Sequence, residues 1–199
     1  VYYVLQMGFA MGVLFANISS SPFIVQQHYG FSAFEFSLFF GINALAIGLA
    51  AGLSVKFKNP EHAMFLGSVG MTMMSAVEFV ILSNEYHFAV YEAVLFVLLF
   101  SMGLTFTAST TLAMDCEGAN SGTASALFGA AGFAFGGIVS PLVGLGDILS
   151  TTGLIFFVCS VCSLCFSVLA MNQTHTNLWG SFKCKMGPVT RFVFLRREK

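Results

Sequence analysis

Six long apolar runs occupy most of this chain, and all eight Lys and Arg residues lie between or after them. The runs extend from Tyr3 to Pro22, Phe34 to Val55, His62 to Ser83, Phe88 to Ala113, Ser121 to Leu145 and Ser150 to Met171. A helix needs about 20 residues to cross ~30 Å of hydrocarbon, and each run is close to that length. With 57% hydrophobic and 9% charged residues, the chain has more apolar surface than a core of this size can hide from water. Lipid must solvate much of it. Backbone groups in lipid have to be satisfied within a helix or a closed barrel, and the runs lack the alternation of barrel strands. The pattern predicts an all-α, polytopic membrane protein with six transmembrane helices.

The basic residues occupy two places, the loop with Lys56 and Lys58 and the tail from Lys183 to Lys199. An even number of spans puts both ends on one side, and counting spans puts Lys56 and Lys58 there too. The loops on the opposite side, Phe23 to Ala33, Asn84 to His87 and the Gly146-Asp147 turn, contain no Lys or Arg. The positive-inside rule therefore predicts a multi-pass protein of the inner (plasma) membrane with both ends cytoplasmic. Residues 1–171 form one six-helix unit and residues 172–199 a basic cytoplasmic tail. Its basic side chains suit anionic lipid rather than nucleic acid. Phe182, Phe192, Phe194 and Leu195 fit an interfacial segment, and a read-through or frameshifted end accounts for them equally well. The chain opens at Val1 inside an apolar run, without an initiator Met or a signal-peptide pattern, so a missing N-terminal part is expected.

Polar residues inside the runs mark what faces protein or water instead of lipid. Gln6 and Asn17 are eleven residues apart, which at about 100° per residue returns to nearly the same helical face, and Ser20 and Ser21 continue that stripe. Asn43 sits near the middle of the second run. These amides read either as wall of a substrate path or as interhelical hydrogen bonds holding a bundle together. Thr107 and Thr110 share a face with Gly103 and form a mildly polar wall, unless their hydroxyls bond the carbonyls four residues back. Glu78 and Glu92 lie within apolar runs, where a charge at the bilayer centre costs about 2.5 to 3.5 kcal/mol on insertion scales. Both are candidate proton carriers. Each is also only about 8 Å along a helix from the outer loop, so snorkelling to the interface competes with that role.

Glycines recur at spacing four in Gly8-x-x-x-Gly12, Gly48-x-x-x-Gly52 and Gly132-x-x-x-Gly136, and Gly122, Ala126, Ala130 and Ala134 continue the pattern in the fifth run. Such stripes let membrane helices approach closely, and packing within one bundle is the expected use. The loop before the fifth run, Met114 to Asn120, places Asp115 and Glu117 near a helix start that Ser121 or Thr123 can cap. Cys159, Cys162 and Cys165 have a spacing that suggests metal or redox chemistry in a soluble protein, yet no His or carboxylate stands near them in the sequence. They read as small apolar groups. Cys116 and Cys184 are isolated, and His28, His62, His87 and His175 show no ligand-like spacing. No nucleophile with its base, phosphate loop or metal cluster can be assembled, so neither an enzyme nor a cofactor is expected.

Phe15-Ala-Asn-Ile-Ser-Ser-Ser-Pro-Phe23, then Tyr29-Gly-Phe-Ser32 and Leu38-Phe-Phe-Gly-Ile-Asn43, resemble the seventh and eighth helices of the Bcr/CflA drug-resistance transporters of the major facilitator superfamily. Ser121-Gly-Thr-Ala-Ser-Ala-Leu127, with Gly129 following, is similar to that family's signature at its eleventh helix. The likeness extends over roughly residues 3 to 171. It implies the second of two six-helix halves around a cavity that opens alternately to each side. The first, second, fourth and fifth spans would border the cavity, and the third and sixth would be peripheral. Family members commonly carry Tyr at the position of Asn17 and many carry Gln near Gly132, departures that bear on substrate range rather than fold. The resemblance implies proton-coupled efflux of drugs or small amphipathic molecules, with protons, a small-molecule substrate, lipid and the missing half as partners. An importer of sugars or metabolites and a non-transport membrane scaffold are the alternatives.

Overall fold

The computed structural model describes residues 2–117 and 121–176, and their side chains apart from 116–117, 121, 124 and 173–176. The basic tail from 177, Cys184, His175 and the Ser121 cap lie outside the described side chains. Six helices follow one another: α1 Tyr2–Pro22, α2 Ala33–Ser54, α3 Pro60–Ser83, α4 Phe88–Glu117, α5 Ser121–Leu142 and α6 Ile148–Thr176. Each holds a stretch long and apolar enough to cross a membrane, so the chain is an all-α, six-span membrane domain.

Three elements run further than the apolar pattern indicates. After α1 a π turn covers Phe23–His28, where the sequence suggested open loop. Pro22 has no N–H to donate and its ring crowds the preceding turn, which favours widening of the ladder at this point. Gly30, at φ 75°, then supplies the left-handed residue that ends the turn, and Phe31 N–H donates to Val25 O at 3.1 Å. Helix α4 continues through Met114 to Glu117, and α6 continues past Met171 to Thr176. Lipid solvates only the apolar part of a helix, whereas backbone hydrogen bonding carries on into water wherever the next residues allow it.

The start of α2 is fixed locally. Ser32 Oγ accepts the Glu35 N–H at 3.3 Å, and Glu35 Oε2 accepts the Ser32 N–H at 2.9 Å, a reciprocal capping box. Ser32→Ala removes one half of it, and a loss of about 1 kcal/mol in unfolding free energy is expected. Denaturant titration of the chain in detergent micelles measures this, and an unchanged midpoint would show that the box does not hold the helix start.

Helices α1 and α4 stand at the centre. Helices α3 and α6 pack behind them, α2 lies against α4, and α5 lies against α1. Two of the three glycine motifs interlock at the α1–α5 contact. A methyl group added to Gly8 would meet the Phe135 ring at 2.6 Å, Gly12 lies against Val139 and Cys159, Gly132 against Met11, and Gly136 against Phe15. The third motif behaves differently from the expectation: nothing lies within 4 Å of a side chain placed at Gly48 or Gly52. Helix α2 instead receives α4 through Ala50 and the Ile47 backbone, which face Gly103. Ala126, Ala130 and Ala134 are likewise exposed. The reason is the wing position of α2, packed on α4, and of α5, packed mainly on α1 and in part on α4.

The α3–α4 contact depends on glycines whose spacing gave no motif. A methyl on Gly67 would come within 2.7 Å of Ser101 O and 2.8 Å of Thr105 N, and one on Gly70 within 2.7 Å of Ser101 Oγ. At the far side of α3, Thr72 Oγ1 donates to Ser160 O on α6 at 3.1 Å, and Gly153 of α6 sits against the Phe79 backbone.

Candidate functional site

The polar residues of α1 divide between two levels of the bundle. Gln6 is fully buried and joins three helices: its Nε2 donates to Ser163 Oγ on α6 at 3.1 Å, and its Oε1 accepts from Ser109 Oγ on α4 at 2.5 Å. The Ser163 hydroxyl in turn donates to the Gln6 carbonyl at 3.2 Å. About three turns further along, Asn17 is also buried, and its Oδ1 accepts from Ser21 Oγ at 2.9 Å within the same helix. The shared face expected for Gln6 and Asn17 is therefore an inward face, with two separate sets of partners.

Asn43 projects from α2 toward α4, where its Nδ2 donates to Glu92 Oε1 at 2.9 Å. Asn43 is buried and Glu92 half-buried. Asn43 Oδ1 and Glu92 Oε2 have no hydrogen-bond partner among the described residues. Sequence reasoning treated the two residues separately, because only the α2–α4 crossing brings positions 49 residues apart together. Thr107 and Thr110 donate to the carbonyls of Gly103 at 3.0 Å and Phe106 at 2.9 Å, so both hydroxyls are used within α4.

Glu78 departs most from its expected surroundings. Of the two readings of Glu78, a proton carrier and an acid snorkelling to the interface, the second does not accord with a side chain that has no exposed surface. It belongs to the stripe with Met71, Ser75 and Leu82 that α3 turns inward, and neither carboxyl oxygen has a hydrogen-bond partner among the described residues. Glu92 and Tyr91 of α4 lie within electrostatic reach of it, and Tyr91 is a fully buried tyrosine whose hydroxyl has no hydrogen-bond partner among the described residues. Ser21 lies beside that phenol but directs its own proton to Asn17. Sequence reasoning missed Tyr91, and a phenol next to Glu92 in the middle of an apolar run was the signal available.

Above this level, Tyr29 closes the end of the π turn and donates from its hydroxyl to Tyr86 O in the α3–α4 loop at 2.8 Å. Burial, followed by the neighbouring Glu78 and Glu85 carboxylates, pushes the Tyr29 phenol above its ordinary pKa. Its ring packs on Tyr91 at 5.8 Å and on Phe88 at 5.2 Å between centroids. Tyr29 also lines a groove of about 430 Å³ with His28, Glu85, Tyr86 and His87, open at the surface. Glu85 holds this loop at φ 50°, a left-handed backbone that a glycine adopts with less strain. On the neighbouring turn, Asp147 caps α6 by accepting the Ser150 N–H at 3.0 Å, and that bond holds its carboxyl below the usual range.

Among the described residues no group of three or more His, Cys, Asp or Glu is placed to hold a metal ion. Cys159, Cys162 and Cys165 are free thiols, with Cys159 packed against Gly12. The described basic side chains, Lys56 and Lys58, stand on the loop at the other end of the bundle.

Over 180 residues, or 88% of its length, the chain is 35% identical to a Bacillus subtilis (strain 168) protein described as an uncharacterized MFS-type transporter, YdgK. Over its six helices the chain is similar to an MFS-type transporter. It spans about half the length of that relative, 45%, and its six helices agree with half of a major facilitator fold. Neither a protein-family model nor a solved structure matches it. That likeness accords with a non-enzymatic membrane protein. The pair α1 and α4 is central, with α2 and α5 as wings. The carboxyl of Glu78 comes from α3, which packs against α4 and α6.

Proposed function

We propose that this chain is the C-terminal half of a proton-coupled exporter of drugs or other small amphipathic molecules, of the Bcr/CflA type. It works in the inner membrane, with both ends cytoplasmic, by rocking against a second six-helix half around a midplane site. The observation that carries this reading is the Asn43–Glu92 pair at 2.9 Å. It puts an acid that can gain and lose a proton on a central helix, beside a wing that faces away from the bundle. Asn17 and Asn43 supply the polar wall of the substrate path. Met7, Met11 and Phe15 on α1, facing α5, provide adaptable apolar surface suited to amphipathic molecules. Gln6, Thr107 and Thr110 sit closer to the Lys56 end, where their hydrogen bonds serve the bundle first.

The test uses the full-length transporter that contains this chain, reconstituted in vesicles with an imposed pH gradient and a fluorescent amphipathic cation. Gradient-driven accumulation is expected. Glu92→Gln should retain binding of the dye while losing the dependence of transport on pH, because the amide keeps shape and polarity without titrating. Transport that persists after the proton gradient is collapsed would overturn the reading.

A further inference from the structure

Glu78 has an environment that bundle packing alone does not explain. A buried carboxyl in a structural role normally has hydrogen-bond partners, because an unpaired one is costly. Here both of its oxygens, the Tyr91 hydroxyl and Glu92 Oε2 are buried and unpartnered among the described residues. They occur at matched depth on neighbouring antiparallel helices, Glu78 five residues before Ser83 and Glu92 four after Phe88. Among the described residues no Lys or Arg compensates the two acids, since Lys56 and Lys58 are at the opposite end, while His28 and His87 line the surface groove. The unpartnered atoms are all oxygens, and the species that reconciles such a set with its surroundings without adding a bulky group is the proton.

We propose that Glu78 and Tyr91 extend the Asn43–Glu92 pair into a buried proton relay, which runs across α4 from the groove at Tyr29 to the α2 side of the bundle. The relay rests on the proton-coupled reading above and adds to it a second acid and the group that links the two. In one passage the O–H bond of the neutral Glu78 acid breaks as its proton bonds to the Tyr91 phenol oxygen. The proton already on that oxygen leaves for Glu92 Oε2, each transfer occurring in contact or through one water. Glu78 ends as a carboxylate, Glu92 as a neutral acid, and Tyr91 keeps its composition. Rotation of the unpartnered phenol hydroxyl resets the wire.

The elements around Glu78 differ in what they bring to this setting. Tyr29, at the end of the π turn, feels the charges of Glu78 and Glu85 and forms part of the groove wall, so it stands between water and the buried acid. Helix α4 contributes Tyr91 and Glu92. Helix α1 brings Ser21 beside Tyr91, with Asn17 bonded to it. Helix α6 meets α3 here through Gly153 against Phe79 and adds no ionisable side chain at that contact.

The experiment is infrared difference spectroscopy of the full chain in lipid vesicles, titrated from acid to alkaline, which reads the carbonyl stretch of each neutral carboxylic acid. Two such bands are expected, one lost in Glu78→Gln and the other in Glu92→Gln, each shifting its titration midpoint when the other acid is removed. After a rapid pH jump, Tyr91→Phe should slow the Glu78 band on the order of a hundredfold. Glu78 that stays neutral across the whole titration, or an unchanged rate in Tyr91→Phe, would overturn the relay. If Tyr91→Phe loses helix content, the coupled midpoints of the two Gln variants decide alone, and independent midpoints reject the proposal. Proton-coupled transport with a silent Glu78 would reject the relay and leave the functional reading standing, whereas absence of any proton-driven transport would reject the functional reading itself.

Discussion

Gly67→Leu is expected to prevent the chain from reaching a monodisperse, folded state in detergent, while Gly48→Leu leaves it intact. Even a methyl group at Gly67 would come within 2.7 Å of the Ser101 carbonyl and 2.8 Å of the Thr105 nitrogen. Both are backbone atoms of α4, so no rotamer change opens the space. Overpacking in a core typically costs about 1 to 3 kcal/mol, and a clash that must separate two helices belongs at or above the top of that range. The same substitution at Gly48 meets nothing within 4 Å and adds an apolar group to an apolar surface. Fluorescence-detected size exclusion, followed by denaturant titration, compares the two. A Gly67→Leu protein with the native elution profile and midpoint would show that α3 and α4 are not in the contact described.

Gln6→Leu is expected to destabilise the bundle by about 1 to 2 kcal/mol and to leave transport selectivity and its pH dependence unchanged. The substitution removes the side-chain bonds to Ser109 and Ser163, and interhelical bonds in membranes average about 0.6 kcal/mol with a maximum near 1.7. Ser109 keeps its bond to Thr105 O at 2.8 Å and Ser163 its bond to the Gln6 carbonyl, which limits the loss. Thermal unfolding and a substrate panel measured on one preparation provide the check. Altered selectivity with native stability would instead place Gln6 on the substrate path.

The chain of residues alone determined the number of helices, their approximate limits and the expected orientation. These follow from solvation: apolar length decides what lipid accepts, and the positions of Lys and Arg decide which loops stay on the basic side. Glycine pairs at spacing four were readable for the same reason, because helical period fixes which positions share a face, and two of the three pairs meet at the α1–α5 contact.

Partners across helices were not readable. That Asn43 reaches Glu92, that Glu78 turns inward from α3, and that Tyr91 is fully buried depend on how helices cross and rotate about their axes. Helical period gives the relative angle of two residues on one helix, but the absolute rotation comes from the summed packing of all its neighbours. For α3 that rotation follows from the fit of Gly67 and Gly70 against Ser101 and Thr105, about two turns and more from Glu78. The π turn after Pro22 was hidden for a related reason. Proline marks where the regular ladder is interrupted, and the packing of Tyr29 against Tyr91 and Phe88 favours a wider turn over a loop.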